Sequence, residues 1–187
     1  MVDWQIKKGW LDKVELRPSP HFDRRDKVGD IHLLVIHNIS LPPGEFGGPY
    51  ITDLFLGNLD ANADPFFEDI CQLRVSAHCL IRRDGQVIQY VSFDNRAWHA
   101  GVSCYLGQEK CNDFSIGIEL EGTDNIPYTE QQYQQLARLT LALKNAYPNI
   151  KDNIAGHSEI APGRKTDPGE SFDWHYYKEL LNSQDTE

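Results

Sequence analysis

The sequence lacks the long apolar runs that membrane attachment or export requires. No stretch approaches the roughly 20 apolar residues of a membrane-spanning helix. The segment 1–30 mixes charged residues with isolated apolar ones and has no apolar core of a signal peptide. We therefore expect no membrane partner and a cytoplasmic location.

An excess of positive charge is also missing. The chain has 18 Lys and Arg against 28 Asp and Glu, a formal net charge of -10 at pH 7. Proteins that are drawn to nucleic acid by their overall charge are basic. We therefore predict no nucleic-acid partner, and an anionic ligand would need a local basic pocket.

Cysteine is sparse, and familiar zinc motifs are absent. The four cysteines match neither a zinc ribbon nor a redox pair in their spacing, which favours free thiols in a reducing compartment; two disulfides are the alternative for an exported protein. No His-Glu-x-x-His pattern is present, which argues against a peptidase of that class. The 187 residues fit one domain, which is large enough to bury a stable core without disulfides or a structural metal ion.

Three apolar patterns predict strands of an α/β (α+β) domain. The continuous apolar run 33–36 suits a central strand over 31–37. The segments 77–83 and 86–91 flank Asp84-Gly85, a dipeptide typical of a type I′ hairpin. The segment 114–120 alternates between apolar and polar residues, as a strand does.

Helices are predicted between and after these strands. Pro49 can open a short helix that ends near Gly57, and 65–73 has helical spacing. Thr129 is a good N-cap for a long helix that Pro148 stops, and a last helix covers 173–181. We assign 1–30 to an irregular segment packed on the domain, 31–182 to the domain, and 183–187 to a tail.

A polar, turn-rich stretch at 155–169 contains two possible metal ligands, His157 and Asp167. Its Gly and Pro residues predict a shaped loop through which neither helix nor strand continues. A third ligand would complete a catalytic zinc site, and His37 lies at the predicted carboxyl end of a central strand, where α/β proteins bind ligands. The structural alternatives are surface turn hydrogen bonds for the loop residues and a core histidine at 37.

Two further residues have both functional and structural interpretations. Glu119 interrupts a strand, where a carboxylate is costly unless paired, so it is a candidate acid or base; the alternative is an edge strand with a solvated face. Trp98, predicted with His99 in a loop at 96–101, could stack on a sugar or peptide, or lie at the edge of the core.

Several long segments resemble the zinc-dependent N-acetylmuramoyl-L-alanine amidase family, most closely its members that act on anhydromuropeptides. They are VIHNISLPPGEFGG at 35–48, RVSAHCLIRRDG at 74–85, RAWHAGV at 96–102, CNDFSIGIELEGT at 111–123 and RKTDPG at 164–169. The likeness extends over about 18–174. It implies a single domain with a central mixed β-sheet flanked by helices.

The resemblance also implies roles for individual residues. One zinc ion per chain would be held by His37, His157 and Asp167, where many relatives have a cysteine in place of the aspartate. Glu119 would act as the base, a role that phage-type relatives give to a tyrosine, and Lys165 would stabilise the oxyanion. Substrate-binding roles fall on four residues: Asn38, Arg74, Trp98 and Arg164.

The implied reaction is hydrolysis of the amide bond between the 1,6-anhydro-N-acetylmuramoyl group and L-alanine of soluble muropeptides. In the cell it would belong to peptidoglycan recycling and limit the muropeptide signal that induces β-lactamase. We expect a monomer. The alternative is a non-catalytic muropeptide-binding module of the same fold, which typically lacks a zinc ligand.

Overall fold

The computed structural model describes residues 4–184, which form twelve strands and four α-helices. The strands are β1 (Ile6–Lys7), β2 (Trp10–Leu11), β3 (Glu15–Leu16), β4 (Phe22–Arg24), β5 (Leu33–Ile39), β6 (Cys79–Ile81), β7 (Val87–Gln89), β8 (Asn95–Ala97), β9 (Cys104–Tyr105), β10 (Gln108–Glu109), β11 (Ser115–Glu121) and β12 (Ile154–Gly156). The helices are α1 (Tyr50–Leu56), α2 (Glu130–Ala146), α3 (His157–Ile160) and α4 (Trp174–Gln184). Three 3-10 helices cover Val28–Asp30, Pro65–Asp69 and Cys111–Asp113.

A six-stranded mixed sheet forms the centre of the fold, in the order β12-β5-β11-β6-β7-β3. Strands β12, β5, β11 and β6 are parallel to one another, β7 runs antiparallel to β6, and β3 runs parallel to β7. The two longest strands, β5 and β11, are adjacent, and all seven residues of β11 are buried. The predicted mixed sheet is confirmed, and β11 is central rather than an edge strand.

Helices cover both faces of this sheet. On one face, Leu34 and Ile118 pack in a cluster with residues of α2 and α4, such as Leu136 and Tyr177. On the other face, β6 and β7 pack against α1, and the first half of β5 packs against α3. The sheet is therefore packed on both sides, and its rigid backbone fixes the positions of the side chains at its carboxyl edge.

Local chemistry explains the confirmed helix boundaries. Gly57 follows α1 with a left-handed φ of 74°, which suits glycine. Thr129 accepts a hydrogen bond from the backbone of Gln132, whose side chain binds back to the N-cap, so a capping box begins α2. The hairpin around Asp84-Gly85 is confirmed with shorter strands, β6 and β7, but the predicted type I′ turn is wrong, because Gly85 has a φ of 87° while Asp84 does not have the positive φ that this turn requires.

Several predictions of local structure were wrong. Segment 1–30 holds four short strands, of which β3 joins the main sheet, and residues 1–3 lie outside the described range. The polar stretch 155–169 begins with the end of β12 and one helical turn, and Gly156 at their junction leaves no room for a side chain, since a Cβ would lie 2.8 Å from Pro168 Cδ. Segment 65–73 forms only a 3-10 helix, and 96–97 belong to β8, paired with β4.

At the carboxyl end, α4 runs to Gln184, beyond the boundary predicted at 182, and 185–187 lie outside the described range. Among residues 4–184, no helix has both the length and the apolar character to cross a bilayer. All four cysteines are free thiols.

Candidate metal centre and active site

Three side chains converge at the carboxyl edge of the sheet: His37, His157 and Asp167. The two Nδ1 atoms of the histidines are 2.9 Å apart, and each lies 3.1 Å from Oδ2 of Asp167. Ligand atoms about 2.0–2.2 Å from one zinc ion lie roughly 3.3 Å apart in tetrahedral geometry. The separations are close to that spacing, so the three atoms can hold a single metal ion.

The sheet explains why residues so distant in sequence meet. Strands β12 and β5 are parallel and paired, with Gly156 opposite Ile36. The residue after each of these is a histidine, His37 within β5 and His157 at the start of α3, and both imidazoles emerge at the same edge. Parallel strands present their carboxyl ends together, which is where α/β proteins place their ligands.

Asp167 reaches this edge from the loop after α3. Its backbone carbonyl accepts a hydrogen bond from Ser158 N at 2.9 Å. Burial raises the pKa of its carboxyl group, but hydrogen bonds from His157 and His37 outweigh burial and hold that pKa below its usual range. The group is thus an anion, as a metal ligand must be.

The second nitrogen of His37 is held by a residue for which the sequence predicted no role. Nε2 of His37 lies 2.8 Å from Nδ1 of His99, and Nε2 of His99 lies 3.2 Å from the hydroxyl of Ser115. A Cβ on Gly117 would lie 2.4 Å from the His99 ring, so only glycine leaves room for it. A proton on His37 Nε2, donated to His99, leaves Nδ1 free to bind metal.

The second nitrogen of His157 is fixed by a backbone carbonyl. Nε2 lies 3.0 Å from the oxygen of Ala100. Arg164 donates to the same oxygen at 2.6 Å and to Val102 O at 2.7 Å. Arg164 thus holds the loop that fixes the tautomer of His157, and two of its nitrogens are already engaged by protein.

Burial drives His37 towards its neutral form. Removal from solvent lowers the pKa of His37 to about 4, although the hydrogen bond with Asp167 acts in the opposite direction. A neutral imidazole is the form that binds a metal ion. Burial likewise lowers the pKa of His99 well below its usual value, with the neighbouring His37 as a further cause.

Glu119 is a buried carboxylate on β11, with 8% of its surface exposed. Its Oε2 atom has no hydrogen-bond partner within the described residues. Burial and then the charge of Asp167 raise its pKa well above the usual value, while the charge of Lys165 lowers it. A metal-bound water at the triad would supply the missing partner, so the donor set and this orphaned oxygen both fit a catalytic metal site.

The proposed oxyanion residue, Lys165, lies on the exposed side of this site. Its backbone nitrogen donates to Ala161 O at 3.0 Å, which closes the turn after α3. Its side chain is exposed, yet its charge acts on both Glu119 and His37. The ammonium group is therefore close enough to influence charge at the centre.

Asn38 points to the opposite face of β5 from its neighbour His37 and is partly exposed, and its role as a substrate ligand stays a prediction. Successive residues of a strand point to opposite faces, and Asn38 lies opposite Leu120, a residue of the core below α2. Its amide nitrogen donates to Asp124 Oδ1 and to Pro168 O, at 2.8 and 3.1 Å. Both of its hydrogens are thereby used within the protein.

The other two predicted substrate residues are Trp98 and Arg74. Trp98 directly precedes His99, is half-buried, and stacks on His21 with ring centroids 6.2 Å apart. Arg74 is exposed, just before the segment that leads into β6. Their roles as substrate ligands remain predictions.

Comparison with known proteins agrees with this geometry. The family model described as N-acetylmuramoyl-L-alanine amidase matches residues 27–170. The chain is 60% identical over 181 residues to the 1,6-anhydro-N-acetylmuramyl-L-alanine amidase AmpD of Escherichia coli K12, covering 97% of this chain and 99% of that protein.

Solved structures give the same result. A crystal structure of a selenomethionine AmpD derivative superposes with a TM-score of 0.92 at 61% identity, over 97% of this chain and 99% of that one. The amidase AmiD of E. coli, solved with the substrate anhydro-N-acetylmuramic acid-L-Ala-D-gamma-Glu-L-Lys, gives a TM-score of 0.58 at 25% identity, over 95% of this chain and 65% of that one. With its His, His and Asp donors and its partnerless glutamate at one sheet edge, this chain belongs to the N-acetylmuramoyl-L-alanine amidase family.

Proposed function

We propose that this protein is a zinc-dependent amidase that hydrolyses the amide bond between the 1,6-anhydro-N-acetylmuramoyl group and L-alanine of soluble muropeptides. The observation that carries the proposal is the convergence of three donor atoms within 3.1 Å beside the buried, unpartnered carboxylate of Glu119. The substrate follows from the 60% identity to a protein named as an amidase of that specificity.

Zinc is the metal that suits this donor set best. Two imidazole nitrogens and one carboxylate oxygen, with one position left for water, are typical of catalytic zinc sites. When bound, zinc lowers the pKa of a coordinated water to about 7 and polarises the carbonyl of the scissile bond.

Glu119 would handle the protons of the reaction. Its carboxylate accepts a proton from the attacking water and delivers it to the leaving nitrogen of L-alanine. A raised pKa makes the carboxylate a stronger base, and a pKa nearer to neutrality lets the same group serve as base and then as acid. The burial that raises this pKa is therefore part of the mechanism.

Lys165 would stabilise the negative charge that develops on the carbonyl oxygen. A fixed cation near a developing oxyanion lowers the barrier more than it stabilises the neutral substrate. Its position two residues before Asp167 ties it to the same loop as a ligand.

Substrate binding is assigned to the exposed rim. Arg74 and Nη1 of Arg164, which has no hydrogen-bond acceptor among residues 4–184, would bind stem-peptide carboxylates; guanidinium groups suit such anions. Trp98 would lie along the sugar. Asn38 would hydrogen-bond the stem peptide through its side-chain oxygen, since both hydrogens of its amide nitrogen are donated within the protein.

In the cell, we place the reaction in peptidoglycan recycling in the cytoplasm, where it would lower the muropeptide signal for β-lactamase induction, and we expect the protein to act as a monomer. A non-catalytic muropeptide-binding module of the same fold is not favoured. All three donors and Glu119 are present in this chain.

The test is incubation of the purified protein with soluble anhydro-muramoyl tripeptide, with and without a zinc chelator, followed by mass spectrometry. We expect free tripeptide and the anhydro sugar acid only when metal is present, and recovery when zinc is restored. Intact substrate in the presence of fully metallated protein would overturn the proposal.

A further inference from the structure

The carbonyl oxygen of Pro168, the residue after Asp167, is held by two side chains from different parts of the chain. Tyr128 donates its hydroxyl hydrogen to this oxygen at 2.7 Å, and Asn38 donates from Nδ2 at 3.1 Å. A carbonyl oxygen has two lone pairs, so both are occupied. The peptide group next to the proposed metal ligand is therefore fixed in position and in rotation.

Other contacts tighten the same segment. The second hydrogen of Asn38 Nδ2 is donated to Asp124, at 2.8 Å from Oδ1. Gly169 has a left-handed φ of 82°, and a Cβ on it would lie 2.1 Å from Asp124 Cα, so only glycine allows the loop to lie this close. Asp167 is anchored through its own carbonyl as well, which accepts a hydrogen bond from Ser158 N at 2.9 Å.

Strand β5 contributes to two of the three donors through opposite faces. His37 offers its own imidazole on one face, while the next residue, Asn38, reaches from the other face to the peptide beside Asp167. The separation of 3.1 Å between Asp167 Oδ2 and each histidine Nδ1 depends on where this loop lies relative to β5.

We propose that Asn38 and Tyr128 are positioning residues that hold Asp167 at the metal centre through the carbonyl of Pro168; the inference rests on the proposed zinc site. The loop at 162–169 is rich in Gly and Pro and has no regular structure of its own. Without these two donors the chain next to Asp167 would gain conformational freedom, and zinc binding would have to remove it. Neither residue touches the substrate in this role.

The test compares two single-atom deletions in the same core. Tyr128→Phe removes the hydroxyl that binds Pro168 O. Tyr177→Phe is the matched control, because it removes an equally buried tyrosine hydroxyl, bonded to Thr140 Oγ1 at 2.6 Å, in the cluster under α2. Zinc affinity of the full-length, metal-stripped protein is measured by competition with a chromogenic chelator, and thermal stability is recorded for each metal-free variant.

We expect Tyr128→Phe to weaken zinc binding by about 10-fold, the lower end of the effect of outer-shell partners. The control should bind zinc within about twofold of the wild type, even if it melts at a lower temperature. Equal zinc affinities for Tyr128→Phe and the wild type, or equal losses in both variants, would overturn the proposal.

Two further variants separate positioning from general stability. Asn38→Asp keeps the side-chain shape but cannot donate to Pro168 O, and should weaken zinc binding in the same direction. In an Asp167→Ala background, Tyr128→Phe should have no further effect on zinc affinity, because the residue that it positions is gone; an unchanged 10-fold loss there would contradict the proposal. A wild-type protein that bound no zinc would refute the proposed function instead, which keeps the two failures distinct.

Discussion

Glu119 lies directly opposite His37 in the parallel pair of β11 and β5. Residues in register on neighbouring parallel strands project to the same face, so the candidate base and the candidate ligand are side by side on the two longest strands of the sheet. Both strands are buried between helices. The distance between base and metal centre is therefore set by backbone pairing rather than by a loop.

Replacement of Glu119 by glutamine should separate metal binding from catalysis. Glu119→Gln keeps the shape of the side chain but removes its basicity, so zinc should still bind while kcat falls by about 10²- to 10⁴-fold, the range for general bases. Metal content and tripeptide release are measured on the same preparation. A near-normal kcat would mean that another residue moves the proton.

Two substitutions at His99 should have different effects on metal binding. His99→Asn places an amide oxygen near the position of Nδ1, where it can still accept from His37 Nε2. His99→Leu has a similar size and no acceptor, so zinc affinity should fall by about 10-fold or more. Chelator competition measures both.

The matched pair at His99 also controls for packing. Asn and Leu have the same branched shape at Cγ, so the two variants present similar outlines to Gly117 and differ chiefly in the ability to accept a hydrogen bond. Equal zinc affinities in the Asn and Leu variants would show that the hydrogen bond to His37 is irrelevant to the metal.

Lys165 should matter for rate rather than for metal or fold. Lys165→Met removes the charge from an exposed side chain, so zinc content and melting temperature should not change, while kcat falls by roughly 10²-fold, as for loss of an oxyanion donor. Lys165→Arg retains the charge and should recover part of the rate. Steady-state kinetics on the tripeptide substrate decide this, and an unaltered kcat in the Met variant would remove Lys165 from the mechanism.

The metal-free protein should lose stability as the pH is lowered from neutrality. Burial lowers the pKa of His37 to about 4 and, with Arg25 as a second cause, the pKa of His78 to about 3, against an ordinary pKa of 6.5. Below pH 6.5 the unfolded chain therefore binds more protons at these sites than the folded chain does. The free energy of unfolding consequently decreases as the pH is lowered. Urea unfolding at several pH values measures this.

Glu119 contributes with the opposite sign. Because its pKa is raised in the folded protein, the folded state takes up this proton first as the pH falls, which offsets part of the loss. The metal-free Glu119→Gln variant should therefore lose stability more steeply in acid than the wild type. A shallower slope would mean that the pKa of Glu119 is not raised.

Strong local patterns allowed much of the fold to be predicted from sequence. The run 33–36 identified the strand that carries His37, and Thr129 with Gln132 identified the start of α2, because a buried parallel strand and a capping box depend on adjacent residues. The short strands of segment 1–30 were missed since each has only two or three residues and depends on a distant partner.

At the site, residue types pointed to His37, His157 and Asp167, whereas their supporting residues could not be found in this way. His99 acts through a ring contact 62 positions away from His37, and nothing in its local sequence indicates that contact. Asn38 was assigned to the substrate because it is adjacent to His37. The alternation of the strand sends it to the opposite face, where it holds Pro168.

Titration of the metal-free protein with zinc, while release of tripeptide from anhydro-muramoyl tripeptide is followed, tests the central claim most directly. We expect activity to be absent without metal, to rise in proportion to added zinc, and to stop rising at one equivalent per chain, because one set of three donors is available at the site. Full activity in the metal-free protein, or no activity at one bound equivalent, would contradict a single-zinc amidase.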